Sequence, residues 1–235
     1  MDMYSAEDPS YSFDFSEKSI RAGFIRKVYS ILMCQLLITT AVIVWFTFHE
    51  PTKIYAQNHS WILIVGAVLT LVCLLCMTCC VEVRRNFPMN FIFLFVFTCA
   101  ESLLLGAASS KFDGYEVLIA MGMCATLSFL LTVFAFQTKI DFTKWGGALL
   151  IILIVFTLFG ILTIFIKGRT MQMFYASIGA CIFMLYIIYD TQLMMGGSHK
   201  YSISPEEYIF AALNLYLDVI NLFIFLLQII GMSRD

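Results

Sequence analysis

The sequence predicts an all-α membrane protein folded as a seven-transmembrane-helix bundle, and three observations favour that class. Of the 235 residues, 61% are hydrophobic and only 13% are charged, whereas a soluble domain is about 25% charged. The mean hydropathy is +0.89. The apolar residues are also gathered into seven stretches, each near the ~20 residues that a helix needs to cross the hydrocarbon core.

The predicted helices follow one another with short polar connections between them. They run over 28–48, 61–81, 89–110, 116–136, 145–166, 171–194 and 207–231. Because these segments take up most of the chain, no second folded domain fits beside them, and we expect one transmembrane domain over 28–235. The preceding 1–27 is polar and lacks the basic start and apolar centre of a signal peptide. We expect it to be a short, disordered cytosolic tail.

The distribution of basic residues predicts a cytosolic N-terminus, because cytoplasmic loops carry an excess of Lys and Arg. Nine basic residues fall on the N-terminal side of the predicted helices and five on the other side. The nine are Lys18, Arg21, Arg26, Lys27, Arg84, Arg85, Lys139, Lys144 and Lys200, and the five are Lys53, Lys111, Lys167, Arg169 and Arg234. Seven full crossings place the C-terminus outside the cytosol. A re-entrant last segment would instead return it to the cytosol.

Three acidic residues lie inside apolar segments, where a carboxylate costs roughly 2.5–3.5 kcal/mol on insertion scales. Asp190 is on the sixth segment, Asp218 on the seventh and Glu101 on the third. A neutral Asn or Ser would join helices at lower cost, so we predict a functional role for the two aspartates. For Glu101, a role in function and a role in helix packing both remain open.

Helical spacing groups other polar residues with these aspartates. Asn214, Asp218 and Asn221 are spaced i, i+4, i+7 and form one stripe on the seventh segment. Tyr186 and Asp190 are spaced i, i+4 on the sixth. Lipid cannot satisfy such side chains, so both stripes should face the bundle interior. We therefore predict that Tyr186, Asn214 and Asn221 support the two aspartates.

An arginine at the end of the second segment is a candidate partner for the aspartates. Arg84 lies at the cytosolic end of that segment, and the sixth segment reaches the same side shortly after Asp190. Two close carboxyl groups cannot both ionise at low cost, so the pair should titrate as a unit. We predict that its protonation controls a latch with Arg84 and makes the protein sensitive to pH.

The seventh segment should begin at a helix cap. Ser204 reads as an N-cap residue, Pro205 as the first helical residue and Glu207 as a capping-box glutamate. Asp218 would then lie about 20 Å along the helix from the cap. It could meet Arg84 only if part of that length projects into the headgroup region.

Several other residue groups have ordinary explanations. Gln35 and Thr39 are spaced to join helices by hydrogen bonds. The cysteines of the second segment, Cys73, Cys76, Cys79 and Cys80, are small apolar residues with no His or carboxylate to complete a metal site. Cys79 and Cys80 are also candidates for palmitoylation. The three histidines lie in loops, and we assign them no catalytic role.

Four sequence motifs closely resemble the transmembrane Bax inhibitor motif (Lifeguard) family. They occupy 24–30, 189–191, 204–208 and 215–223, and the last, Leu-Tyr-Leu-Asp-Val-Ile-Asn-Leu-Phe, is the most specific. The short N-terminal tail looks most like the Golgi anti-apoptotic branch. The resemblance implies seven helices, six of them around a central C-terminal one. It also implies a calcium leak across Golgi or endoplasmic reticulum membranes and suppression of apoptosis.

The same resemblance implies roles for particular residues. In bacterial relatives, two aspartates on the last two helices form a pH-sensing pair latched by an arginine on the second helix. Asp190 and Asp218 match those aspartates by motif. Arg84 matches the arginine less closely, because the neighbouring Arg85 shifts the alignment by one residue.

Other functions are weighed against a channel. An intramembrane aspartyl protease needs Gly-x-Gly-Asp and Pro-Ala-Leu motifs that the sequence lacks, so we do not expect an enzyme. A proton-coupled cation exchanger and a non-conducting regulator acting through protein partners remain open. We expect no cofactor and no nucleic-acid binding. The expected partners are calcium as the permeant ion, held by Asp190 and Asp218, membrane lipid, and apoptosis-regulating membrane proteins.

Overall fold

The computed structural model describes residues 9–165, 168–196 and 201–234, with side chains from residue 19 onward except those of Val81, Arg84, Ile164 and Arg234. Over these residues the chain is helical and contains no strand. The helices are α1 (Pro9–Phe48), α2 (Glu50–Asn58), α3 (Trp61–Cys79), α4 (Val81–Arg85), α5 (Met89–Ser109), α6 (Gly114–Gln137), α7 (Gly146–Phe165), α8 (Arg169–Met195) and α9 (Tyr208–Arg234). Short 3-10 turns at Phe142–Trp145 and Pro205–Glu207 lead into α7 and α9.

The predicted fold class is confirmed. Within the described residues, seven helices are long and apolar enough to cross a membrane, namely α1, α3, α5, α6, α7, α8 and α9. Their ends lie close to the predicted ones, apart from the start of α1. The last helix is unbroken from Tyr208 to Arg234, which favours a full crossing over a re-entrant hairpin.

The expected disordered tail is wrong for residues 9–27, because α1 begins at Pro9. Residues 1–8 lie outside the described part of the chain. Phe24 is buried, and the Arg21 guanidinium donates a hydrogen bond of 2.7 Å to the backbone carbonyl of Ile203. These contacts with the rest of the bundle extend the first helix well before its apolar stretch.

Two short helices, α2 and α4, were not predicted. In α2, Glu50 lies in the first turn and a proline occupies one of the first two positions, both of which favour a helix start. An extended residue, Cys80, separates α4 from α3. These helices have nine and five residues, so neither contains an apolar run of membrane-spanning length from which it could be predicted.

The C-terminal helix α9 forms the centre of the bundle. Several of its side chains, including Leu213, Tyr216, Leu222 and Leu227, are fully buried. It packs against α8, α1, α6 and α5, whereas α3 packs mainly on α5 and α7 mainly on α8. The central position implied by the resemblance is therefore confirmed, with α3 and α7 on the outside.

A buried hydrogen-bond network joins α1, α5 and α9. The Gln35 amide donates to the Thr98 hydroxyl at 3.0 Å. The Thr39 hydroxyl oxygen lies 2.9 Å from that of Ser102 and 2.7 Å from that of Tyr216. Gln35 and Thr39 thus join helices, as their spacing predicts.

Removing the Thr39 hydroxyl should destabilise this junction. We expect Thr39→Val to lower the free energy of unfolding by about 1 kcal/mol, since it removes two interhelical hydrogen bonds worth ~0.6 kcal/mol each on average. The neighbouring Thr40 is exposed, so Thr40→Val is a matched control. The measurement is denaturant unfolding of purified protein in detergent. Equal stability of the two variants would contradict a structural role for the Thr39 hydroxyl.

Candidate functional site

The two predicted aspartates come together between α8 and α9. Asp190 and Asp218 are only 5% and 4% exposed, and their carboxyl groups lie within reach of each other. An ionised carboxylate has no hydrogen to donate, so a hydrogen bond between them would require that one member of the pair carry a proton. The arrangement allows two acids to share one proton.

Small residues are buried on both helices that carry the pair. On α8 they are Ala176, Gly179 and Ala180, and on α9 they are Ala211 and Ala212. Small side chains let the backbones of membrane helices approach closely, and Gly179 leaves room for the Phe225 ring of α9. In the described part of the chain, α8 and α9 form the most extensive helix pair, and the carboxyl pair lies within it.

The pair lines a cavity of about 680 Å³ between α7, α8 and α9. Tyr186, Asn214 and Asn221 line the same cavity. Both predicted polar stripes therefore face the same cavity, and five of the sequence-predicted residues line it. The remaining wall is largely apolar.

The cavity lies toward the N-terminal side of the bundle, near the starts of α7 and α9 and the end of α8. Gly146 and Tyr189 both line it. A Cβ at position 146 would collide with the Tyr189 hydroxyl, so only glycine permits this approach. Helical spacing does not group Tyr189 with Asp190, because side chains of consecutive residues project about 100° apart around a helix.

One carboxyl oxygen of the pair is buried without a partner. Asp218 Oδ2 has no hydrogen-bond partner among the residues that the structure describes. A buried acceptor left unsatisfied costs about 1–3 kcal/mol. Because Asp218 also lines the cavity, its carboxyl group is suited to accept a hydrogen bond from water or to contact a cation.

Glu101 does not join the aspartates. It is buried on α5, and its carboxyl lies close to Thr70 of α3 rather than among the residues that line the cavity. The structure therefore separates the third predicted acid from the other two. Its predicted role in an ion pathway stays a prediction.

The predicted latch involves a side chain outside the described part of the structure. The backbone of Arg84 lies in α4, but its side chain is not described, so its pairing with the aspartates stays a prediction. The side chain of the neighbouring Arg85 is described and forms an ion pair with Glu207, with 2.5 Å between Arg85 Nη2 and Glu207 Oε1. Arg85 Nε also donates a hydrogen bond of 2.6 Å to Glu207 Oε1. This pair ties α4 to the start of α9.

Other contacts hold the start of α9 in place. Ser204 caps the turn through a 3.4 Å hydrogen bond from the Glu206 backbone N–H, with proline next, which confirms the predicted N-cap. The Lys27 ammonium lies 3.4 Å from the centre of the Tyr208 ring. The sequence analysis missed these partners because they join segments far apart in the chain.

The described residues contain no cluster of three or more His, Cys, Asp or Glu side chains that could hold a metal ion. The aspartate pair supplies two carboxyl groups, whereas calcium takes six to eight oxygen ligands. Water and neighbouring amide oxygens would have to supply the rest. The pair is therefore better suited to transient contact with a cation than to a resident site.

Comparison with known proteins identifies the family. The family model described as inhibitor of apoptosis-promoting Bax1 matches residues 21–235. Protein lifeguard 3 of Mus musculus is 42% identical over 226 residues, which cover 94% of this chain and 72% of the relative. Protein lifeguard 3 of Homo sapiens is 40% identical over 237 residues, which cover 97% of this chain and 76% of the relative.

A third relative is also similar over most of its length. Protein lifeguard 4 of Mus musculus is 39% identical over 209 residues, covering 89% of this chain and 84% of the relative. The range that the family model matches contains all seven membrane-spanning helices and both aspartate positions. The chain therefore belongs to the Bax inhibitor (Lifeguard) family of multi-pass membrane proteins.

Proposed function

We propose that this protein is a pH-sensitive calcium leak channel of Golgi or endoplasmic reticulum membranes that suppresses apoptosis. The observation that carries the proposal is the buried Asp190–Asp218 pair at the wall of the cavity between α7, α8 and α9. The family description, inhibitor of apoptosis-promoting Bax1, supports the anti-apoptotic part.

The charge of the cavity supports cation passage. Two aspartates line it, and none of its described lining residues is basic. Acidic groups in a low-dielectric cavity attract cations and repel anions. Carboxylate and amide oxygens are also the ligands that calcium prefers, and Asn214 and Asn221 provide amides on the same wall.

The shared proton supports a response to pH. Losing it would leave two negative charges side by side, a state stabilised by a nearby cation or arginine. Arg84 is the proposed partner in that ionised state. The other ionisable groups on the cavity wall, Tyr186 and Tyr189, are phenols, which are neutral at physiological pH. The carboxyl pair is therefore the group that would sense pH in this cavity.

The first prediction concerns flux. Purified protein in liposomes should leak calcium down its gradient, and Asp218→Asn should change that leak at least several-fold because it removes a cation ligand and half of the proton-sharing pair. A fluorescent calcium indicator inside the liposomes measures the rate. Glu82 is an exposed acid on α4, so Glu82→Gln is the matched control and should leave the leak unchanged.

The outcome separates a channel from its alternatives. Flux equal to that of empty liposomes would reject conduction and favour a non-conducting regulator that acts through protein partners. Calcium flux that requires an opposing proton gradient would favour a proton-coupled exchanger.

The second prediction concerns the latch. Acidification should increase the leak, because protonating the ionised pair removes one of its two negative charges and so weakens its hold on Arg84. Arg84→Ala should raise the leak at neutral pH and flatten its pH dependence. Arg85→Ala should have a smaller effect on the pH profile, since Arg85 pairs with Glu207. The measurement is calcium flux in liposomes across a series of pH values.

Aspartate variants provide the decisive comparison for the latch. Asp190→Asn and Asp218→Asn cannot exchange the shared proton, so each should also flatten the profile. Folded variants at Asp190, Asp218 and Arg84 that all keep the original pH profile would rule the latch out.

The third prediction concerns orientation. We propose a cytosolic N-terminus from the excess of basic residues on that side, which places the 49–60 loop in the lumen and the 82–88 loop in the cytosol. An inserted glycosylation acceptor should be modified in the first loop and unmodified in the second. The native acceptor Asn58-His59-Ser60 lies at the end of α2 with Asn58 exposed. It abuts α3, so Asn58→Gln should be used as the background. The reverse pattern of modification would invert the orientation.

A further inference from the structure

A second cavity lies at the opposite end of the same three helices. Its volume is about 610 Å³, and it is lined by residues of α6, α7, α8 and α9 and by the α5–α6 connection. Its wall includes Lys111, Glu116, Gln172 and Gln228, so it is polar. The α7–α8–α9 group thus has a cavity toward each end, one with a polar wall and the other with a largely apolar wall that carries the aspartate pair.

Four aromatic side chains lie between the two cavities. Tyr175 of α8 lines the second cavity, and Phe183 of the same helix lines the aspartate cavity. Phe225 of α9 contacts both, with ring centroids 5.8 Å from each. Phe156 of α7 stacks on Tyr175 at 4.3 Å with the ring planes 4° apart. We refer to Phe156, Tyr175, Phe183 and Phe225 as the aromatic layer.

The aromatic layer is closed tightly around a glycine. A Cβ at Gly179 would lie 2.7 Å from the Phe225 ring and 2.8 Å from the Phe156 ring, so any other residue would push the rings apart. Phe156 and Phe225 are each only 7% exposed. Tyr175 and Phe183 are eight residues apart on α8, so the layer separates the cavities by about 12 Å along the helix.

We propose that the aromatic layer is a hydrophobic gate that controls cation passage between the two cavities. The proposal rests on the proposed conduction and adds the position and chemistry of the barrier. A constriction lined by apolar rings excludes water, and a hydrated cation cannot cross it without losing its shell. Rotation of the Phe225 ring away from Gly179 would join the cavities without moving a helix.

A gate and a simple packing layer respond differently to truncation. Removing a ring from a packing layer leaves a cavity and lowers stability, with no gain in flux. Removing a ring from a gate lets water enter between the two cavities and raises the basal leak. Flux and stability together therefore separate the two roles.

The experiment measures calcium and potassium leak from liposomes containing full-length Phe225→Ala or Phe156→Ala protein. Both variants should leak both ions at least several-fold faster than the unmodified protein. Phe174 is on α8 but 59% exposed, so Phe174→Ala is the matched control and should leak at the unmodified rate. Thermal unfolding in detergent reports on folding. Should Phe225→Ala fail to fold, Phe156→Ala on the outer helix α7 and the milder Phe225→Leu decide the result.

Each outcome bears on the gate separately from the channel. A leak that rises in the aromatic-layer variants supports the gate, even if the unmodified protein is silent and the proposed basal leak is rejected. A leaky unmodified protein with unchanged variants overturns the gate and leaves the channel standing. Silence in every folded protein overturns both proposals.

Discussion

The contact on which the site depends is the close approach of two carboxyl groups buried in an apolar bundle. A carboxyl group at this depth is tolerated more readily with a polar partner, because lipid offers none. The approach requires α8 and α9 to pack closely, and Gly179 of α8 leaves room for the Phe225 ring of α9. The aspartate pair therefore lies within the most extensive helix pair of the described residues.

The same constraint accounts for the central position of α9. This helix carries buried apolar residues together with polar ones that need partners. The Tyr216 hydroxyl is hydrogen-bonded to the Thr39 hydroxyl of α1, while the Asp218 carboxyl lies near Asp190 of α8. A helix with polar groups on two faces cannot lie at the lipid boundary, so it is surrounded by others. By contrast, α3 and α7 expose many apolar side chains and lie outside.

Charged contacts fix the N-terminal end of α9, where the aspartate cavity lies. Arg85 of α4 pairs with Glu207, Arg21 of α1 bonds to the Ile203 carbonyl, and Lys27 lies over the Tyr208 ring. Together these contacts join α1 and α4 to the segment 203–208, where α9 begins. A shift of α9 along its axis would have to break them, so they hold Asp218 at the level of Asp190.

The sequence by itself determined the class of protein, the approximate ends of seven helices and the residues that share a face on each helix. These follow from hydropathy and from the 3.6-residue period, which are local properties. Only the tertiary structure decided which faces meet. In the folded protein Asp190 lies near Asp218, whereas Glu101 is buried away from both. Glu207 pairs with Arg85, and the Phe225 ring packs against Gly179. Helical periodicity fixes the direction of a side chain about its own axis, whereas the choice of neighbouring helix depends on shape and packing between segments distant in sequence.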